Sequence, residues 1–239
     1  METVGFILLD NVTGFNESAL QEVTEWLFNM PQERKLRLAR KKWNKDSRNN
    51  YRGYFPVDVT AVSHKEGYEF GPEMASRDPY IQTAYPFCEP NVWPEQEDGE
   101  DEKVFIKFSE TVKGHYVSLF NAAIEFTRLL ALGLGLSENY FDQLYIPKTL
   151  STFRLLHYPL RQDAIPATAV CDDGTVLCCD AHVDSGMFTL LTTFNNPGLQ
   201  IRMKNGTWMP VESHTGTLIA NMGKMMAEMS GDRIKAVEH

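Results

Sequence analysis

Two side chains that bind metal ions, His182 and Asp184, stand two positions apart in a segment whose pattern predicts a β-strand. Side chains at alternate positions of a strand lie on the same face of the sheet. The spacing therefore presents an imidazole and a carboxylate together, as a pair of ligands for one ion. An HxD pair alone is a weak signal, because a single histidine on a strand usually has a structural role.

A third ligand must come from elsewhere in the chain, and the strongest candidate is His239 on the last predicted strand. Two imidazoles and one carboxylate on one side of an ion form the facial arrangement that holds iron(II) in non-haem oxygenases. That arrangement leaves positions open for substrates and dioxygen. The residues thus predict an iron(II) site made by His182, Asp184 and His239.

Helical periodicity dominates the first half of the chain. Apolar residues recur at helical intervals over residues 16–30, with Asn16 as the predicted N-cap, and over residues 104–130, the longest predicted helix. Another helix is predicted to begin at Pro31, and its basic run, residues 33–42, reads as a solvated face rather than an anion site.

The pattern changes after residue 150, where short apolar segments alternate with turn residues. Helices followed by a run of short strands predict an α+β fold, with the strands rolled into a two-sheet jelly roll or a barrel. Residues 43–101 show little periodicity and predict an ordered loop region with one or two short strands. The later predicted strands are 152–158, 176–184, 188–194, 199–203, 207–211, 217–221 and 235–239.

Composition excludes several classes of function. The formal charge of −9, from 23 Lys+Arg and 32 Asp+Glu, argues against a nucleic-acid partner. No apolar run is long enough to cross a bilayer and no signal peptide is recognisable, so we expect a cytoplasmic protein without a membrane partner. Only four cysteines are present, and the adjacent pair Cys178 and Cys179 is not expected to form a disulfide.

The sequence around the HxD pair continues with a series of short motifs in a fixed order. These are HVD at 182–184, TLL at 189–191, GLQ at 198–200, GTW at 206–208, NMG at 221–223 and the final His239, with RLLHYP upstream at 154–159. This succession resembles the isopenicillin-N-synthase-like branch of the iron(II)/2-oxoglutarate-dependent dioxygenases. The resemblance covers nearly the whole chain. Asn221 and Gly223 are predicted to serve backbone shape rather than chemistry. The histidines that match no ligand position are predicted to be structural or surface residues; they are His64, His115, His157 and His214.

The resemblance implies a double-stranded β-helix, or jelly roll, with a helical N-terminal half. It divides the chain into a mainly helical region, 1–148, and an oxygenase region, 149–239. It implies that His182, Asp184 and His239 bind iron(II), with 2-oxoglutarate and dioxygen as cosubstrates. Tyr158 matches a position whose hydroxyl commonly reaches the cosubstrate or the substrate, although a core tyrosine with a bonded hydroxyl fits the sequence equally well.

The sequence departs from the family at its ends. Family members begin earlier and continue past the third ligand with an Arg-x-Ser pair that binds 2-oxoglutarate, so we expect a chain truncated at both ends. Three interpretations therefore stay open. They are a 2-oxoglutarate-dependent dioxygenase acting on a small organic molecule, a 2-oxoglutarate-independent oxidase of the isopenicillin-N-synthase type, and a truncated inactive pseudo-oxygenase. The sequence predicts neither the substrate nor the oligomeric state.

Overall fold

A computed structural model describes residues 1–73, 86–146 and 149–239. The described elements mix helices with short strands, so the predicted α+β class is confirmed. In these ranges no helix is both long and apolar enough to cross a membrane.

The helices are α1 (Glu17–Phe28), α2 (Gln32–Arg37), α3 (Glu102–Gly133) and α4 (Lys224–Met229). The strands are β1 (Phe6–Leu9), β2 (Gly53–Phe55), β3 (Glu66–Phe70), β4 (Phe153–His157), β5 (Phe188–Leu191), β6 (Gln200–Arg202), β7 (Trp208–Pro210) and β8 (Leu218–Met222).

The described strands pair in three antiparallel sheets. The first sheet has the order β1-β8-β5, the second has the order β2-β3-β4, and the third is the pair β6-β7. In the first sheet Asn221 of β8 stands between Phe6 of β1 and Thr189 of β5. This register brings one polar residue from each of β5 and β8 side by side.

The chain forms two compact units that are each assembled from separate parts of the sequence. The first unit contains residues 1–21, 113–144 and 181–239, and the second contains residues 22–112 and 145–180. The first and third sheets belong to the first unit, and the second sheet belongs to the second unit.

In the first unit the core is built on β8, the central strand of its sheet. All five residues of this strand are buried, and four of them are apolar. An apolar strand between two neighbours satisfies its backbone hydrogen bonds on both edges, which makes it a rigid support. Asn221 is the polar exception in this strand, with 1% of its surface exposed.

In the second unit the core is built on β3, which is also the central strand of its sheet and fully buried. The rings of Tyr68 and Phe70 stack at 4.6 Å, and Phe70 stacks on Trp93 at 5.0 Å. The same strand carries two buried carboxylates, Glu66 and Glu69. Each is paired with basic side chains, as a buried charge requires.

Most helix predictions agree with the structure. Asn16 caps α1, since its Oδ1 accepts a hydrogen bond from the backbone N–H of Ala19 at 3.1 Å. The helix expected over 104–130 is α3, and Gly135 follows it with φ of +80°. The loop region 43–101 does contain two short strands, β2 and β3, while residues 74–85 of it lie outside the described residues.

Three details of the sequence analysis are wrong. Among the described residues, the segments 176–184 and 235–239 form no regular ladder, and Val176 makes only an isolated bridge to Val170. The two segments share one reciprocal pair of backbone bonds, between His182 and His239, which is too little to define a strand. The basic run 33–42 is not wholly solvated, because α2 ends at Arg37 and buries Lys35 against Glu66.

Candidate metal centre

The structure brings His182, Asp184 and His239 together in the first unit. One potential ligand atom from each residue lies within 4.8 Å of the others. Asp184 Oδ1 is 3.7 Å from His182 Nε2 and 3.9 Å from His239 Nε2. One ion bound by all three atoms, with ligand bonds of about 2 Å, would draw these atoms closer together. The three residues that the spacing singled out therefore form one cluster.

Backbone hydrogen bonds hold the three residues in place without a regular strand. The N–H of His182 donates to the carbonyl of His239, and the N–H of His239 donates to the carbonyl of His182, both at 2.9 Å. The carbonyl of Asp184 accepts from the N–H of Lys224 at 2.8 Å, at the start of α4. Each ligand residue is thus tied to another part of the unit through its main chain.

The carboxylate of Asp184 divides its two oxygens between two directions. Oδ2 accepts hydrogen bonds from Thr189 Oγ1 at 2.6 Å and from Asn221 Nδ2 at 2.8 Å. Oδ1 faces the two imidazoles. Burial acts to raise the pKa of this carboxyl, but the two hydrogen bonds and the nearby His239 and His182 outweigh burial and lower the pKa. The group is therefore held as an anion with one oxygen directed toward the cluster.

His239 is oriented by a hydrogen bond on the far side of its ring. Its Nδ1 lies 3.2 Å from the carbonyl oxygen of Val237, which can only accept, so Nδ1 carries the proton. In a neutral imidazole the lone pair is then on Nε2, the atom that faces Asp184. The ring of Phe6 packs edge-on against His239 at 5.6 Å between centroids. The side chain of His239 is 11% exposed and that of His182 is 46% exposed, so the cluster opens to solvent at His182.

The donor set fits an iron(II) ion. Two nitrogen atoms and one carboxylate oxygen on one side of an ion leave open positions on the other side, as in the facial sites of non-haem iron oxygenases. Similar sets of donors also bind zinc in catalytic sites, so the geometry alone does not select the metal.

Tyr158 belongs to the second unit, where it is 42% exposed. Its ring centroid lies 5.8 Å from Lys65 Nζ. Burial, followed by the charge and hydrogen bonding of Cys179, raises the pKa of this phenol, so the hydroxyl stays protonated and can donate. A role for Tyr158 toward a cosubstrate stays a prediction.

The remaining histidines are structural or lie on the surface, as expected. His115 Nε2 lies 3.1 Å from both the backbone N and the backbone O of Asn16, and His157 Nδ1 lies 2.8 Å from Glu66 Oε1. His64 is buried and His214 is exposed.

The sequence analysis missed the two residues that orient Asp184. Asn221, together with Gly223, was expected to serve backbone shape only, yet Asn221 donates to the Asp184 carboxylate. The available signal was a polar residue inside the otherwise apolar segment LIANM. The expectation for Gly223 is confirmed, since a Cβ there would lie 2.1 Å from the carbonyl oxygen of Gly186.

Comparison with protein families supports the same chemistry. Residues 1–96 match the family described as the non-haem dioxygenase in morphine synthesis N-terminal domain. Residues 151–239, which include all three members of the cluster, match the 2OG-Fe(II) oxygenase superfamily.

Individual relatives belong to the same group. The isopenicillin N synthase of Streptomyces griseus is 30% identical over 222 residues, which are 91% of this chain and 64% of that protein. A 2-oxoglutarate-Fe(II) type oxidoreductase of Emericella nidulans is 32% identical over 75% of this chain and 48% of its own length. This chain thus spans about half to two thirds of the length of these relatives.

A similar structure is known for a full-length Neurospora crassa protein in complex with alpha-KG and 5-formyluracil. It is 27% identical with a TM-score of 0.75, and the match covers 99% of this chain and 67% of that one. Together, the two family matches, these relatives and the three-residue cluster place the chain in the 2OG-Fe(II) oxygenase superfamily, in its isopenicillin-N-synthase-like branch.

Proposed function

We propose that this chain is a non-haem iron(II)/2-oxoglutarate-dependent dioxygenase that oxidises a small organic substrate. The observation that carries the proposal is the convergence of His182, Asp184 and His239 within 4.8 Å in a chain of this superfamily. Family membership favours iron(II) over zinc for this set of donors.

The residues of the cluster have distinct tasks in this proposal. Asp184 offers Oδ1 to the ion, while the hydrogen bonds from Thr189 and Asn221 prevent its carboxylate from rotating. The Nδ1 proton of His239 is held on the Val237 carbonyl, which leaves Nε2 as the ligand atom. Bound iron(II) would supply the activation of dioxygen, with 2-oxoglutarate as the source of electrons.

The site of 2-oxoglutarate is proposed from relatives and from the position of Tyr158 in the motif. The Neurospora crassa protein is described in complex with alpha-KG. We assign the Tyr158 hydroxyl to contact with the cosubstrate or substrate, because Tyr158 stands at the motif position whose hydroxyl commonly reaches them, and a phenol can donate to a carboxylate or carbonyl oxygen. We also assign the oxygenase region to residues 149–239, with its strands forming a jelly roll, and a helical region to residues 1–148.

The class of substrate follows from relatives whose described ligands are small molecules, such as 5-formyluracil and thymine. The negative net charge of the chain agrees with a partner that is not nucleic acid. We therefore propose a small organic molecule as the substrate.

A second candidate is an oxidase that uses the same iron but not 2-oxoglutarate. It is favoured by the similarity to isopenicillin N synthases from Streptomyces griseus and Penicillium chrysogenum, at 30% and 28% identity. Such an enzyme takes all its electrons from a thiol-containing peptide. The two candidates share a metal centre and differ in the electron donor.

The test is to measure succinate released from 2-oxoglutarate by the purified 239-residue chain with iron(II) in air. We expect succinate that depends on both additions and is lost in His182→Ala, while His214→Ala, an exposed histidine in the same unit, retains it. Dioxygen uptake with a thiol peptide and without 2-oxoglutarate would instead select the second candidate. If folded, iron-loaded protein shows neither activity, both enzyme candidates are rejected. The interpretation as a pseudo-oxygenase is then left.

A further inference from the structure

Lys65 and Cys179 form a close amine–thiol pair in the second unit. The distance from Lys65 Nζ to Cys179 Sγ is 3.3 Å, although the two residues are 114 positions apart in the sequence. The hydroxyl of Ser63 is 3.7 Å from the same sulfur. Both Lys65 and Cys179 are partly accessible to solvent. An amine and a hydroxyl therefore converge on one thiol that small oxidants can reach.

Hydrogen bonds between the two neighbouring segments hold this pair in place. The N–H of His64 donates to the carbonyl of Cys178 at 3.0 Å, and the N–H of Asp180 donates to Ser63 Oγ at 3.0 Å. Arg161 binds both segments, with Nη2 at 2.6 Å from the carbonyl of Val62 and at 3.4 Å from that of Leu177. The contact between amine and thiol is thus fixed by main-chain bonds on either side of it.

We propose that Lys65 and Cys179 are a site of oxidative modification, in which a single oxygen atom joins the lysine nitrogen to the cysteine sulfur. The oxidant is dioxygen, and the balanced reaction converts one amine, one thiol and one O2 into the N–O–S bridge and one water. One N–H bond, the S–H bond and the O–O bond break, while an N–O bond and an O–S bond form. Nitrogen and sulfur are oxidised, and dioxygen accepts the electrons and carries two hydrogens away as water.

The neighbouring Cys178 does not compete for this role. It is exposed, and it meets the segment that carries Lys65 through its backbone carbonyl, which accepts from the N–H of His64. The bridge would remove the ammonium charge that lies 5.8 Å from the Tyr158 ring and would close a loop of 114 residues. Excess thiol would reverse it, returning the amine and the thiol with the oxygen leaving as water. The inference does not depend on the proposed function.

Peptide mass spectrometry of the full chain tests the proposal. The protein is purified in air or without oxygen, alkylated and digested without prior reduction, and a second aliquot is reduced first. We expect a cross-linked pair of peptides containing Lys65 and Cys179. Its mass should equal the summed masses of the two free peptides plus one oxygen atom and minus two hydrogen atoms. It should appear only after exposure to air and vanish on reduction.

Variants separate this bridge from other oxidation products. Cys178→Ser should retain the linked pair, while Lys65→Arg and Cys179→Ser should each lose it. The proposal is overturned by a linked pair that survives in Cys179→Ser, by a link without the added oxygen, or by unlinked peptides in the fully aerated protein. The readout on the unsubstituted chain does not require any variant to fold.

Discussion

At the scale of single residues, the account depends on how one carboxylate is held. Asp184 has one oxygen bonded to Thr189 and Asn221 and the other facing two imidazoles. A ligand oriented in advance loses little freedom when it binds an ion, so its supporting hydrogen bonds contribute to metal affinity.

Thr189→Val tests this support with little change of volume. The variant removes the hydroxyl that donates to Asp184 Oδ2, and we expect iron(II) affinity to fall by about 10- to 100-fold. The measurement is an anaerobic iron(II) titration beside a thermal unfolding curve. Thr193→Val is the matched control, because the hydroxyl of Thr193 bonds to Ser213 instead. Equal losses of affinity in the two variants would contradict the role of Thr189.

Gly223 shapes the backbone beside the same carboxylate. A Cβ at this position would lie 2.1 Å from the carbonyl oxygen of Gly186 and 2.9 Å from that of Asp184. We expect Gly223→Ala to destabilise the fold by about 1–3 kcal/mol and to weaken iron(II) binding, since the segment with Asp184 must move. In Gly186→Ala the added Cβ has no atom of the described residues within 4 Å, so this control should keep its stability. Denaturant unfolding measures the stability of both variants, and metal titration measures their iron(II) affinity.

At the scale of secondary-structure elements, a buried polar network links α2 to the second sheet. Lys35 Nζ is 2.7 Å from Glu66 Oε2, His157 Nδ1 is 2.8 Å from Glu66 Oε1, and the Tyr54 hydroxyl donates to Glu66 Oε2. The network joins α2, β2, β3 and β4 through one carboxylate. Because its charges are withdrawn from water, the loss of one partner leaves another uncompensated.

Lys35→Met should therefore lower the free energy of unfolding by about 3–5 kcal/mol, because it leaves the Glu66 carboxylate buried without its cation. Urea denaturation measures this change. The matched control is Lys107→Met, whose ion pair with Glu22 is exposed, and it should cost less than about 1 kcal/mol. Similar costs for the two variants would show that the network contributes no more than a surface pair.

The same carboxylate predicts a dependence of stability on pH. Burial acts to raise the pKa of Glu66, but hydrogen bonds from His157, Lys35 and Tyr54 outweigh it and lower the pKa. A lowered pKa means that the stabilisation is complete above the ordinary glutamate value, about 4.3, and is lost as the pH falls through the lower value of the folded protein. We expect Glu66→Gln to flatten the acid limb of a stability–pH curve, whereas Glu110→Gln, exposed on α3, should reproduce the acid limb of the original chain.

The elements differ in how well local sequence predicts them. The long helix α3 and the cap of α1 follow from periodicity and from Asn16, both of which are local signals. The segment 176–184 is predicted as a strand because it is a short segment that follows turn residues, but strand formation needs a continuous ladder with a partner, which local sequence does not specify. The burial of Lys35 was missed for the same reason, since its partner Glu66 is 31 residues away.

At the scale of the whole molecule, the metal cluster depends on contacts between distant parts of the chain. Spacing pairs His182 with Asp184, but His239 lies 55 residues further on, and only the folded chain brings it within 4.8 Å of the other two. The interleaving of the two units was not predictable, because residues 113–144 and 145–180 are neighbours in sequence and members of different units. Local propensities carry no information about such assignments.

The central claim is that His182, Asp184 and His239 hold iron(II), and anaerobic calorimetric titration of the 239-residue chain with iron(II) tests it most directly. We predict a single ion per chain, with binding that weakens in acid because each histidine must be neutral to bind. His182→Ala should abolish the heat of binding, while His214→Ala should leave it unchanged. Folded protein that binds no iron, or that binds it equally well in His182→Ala, would contradict the account.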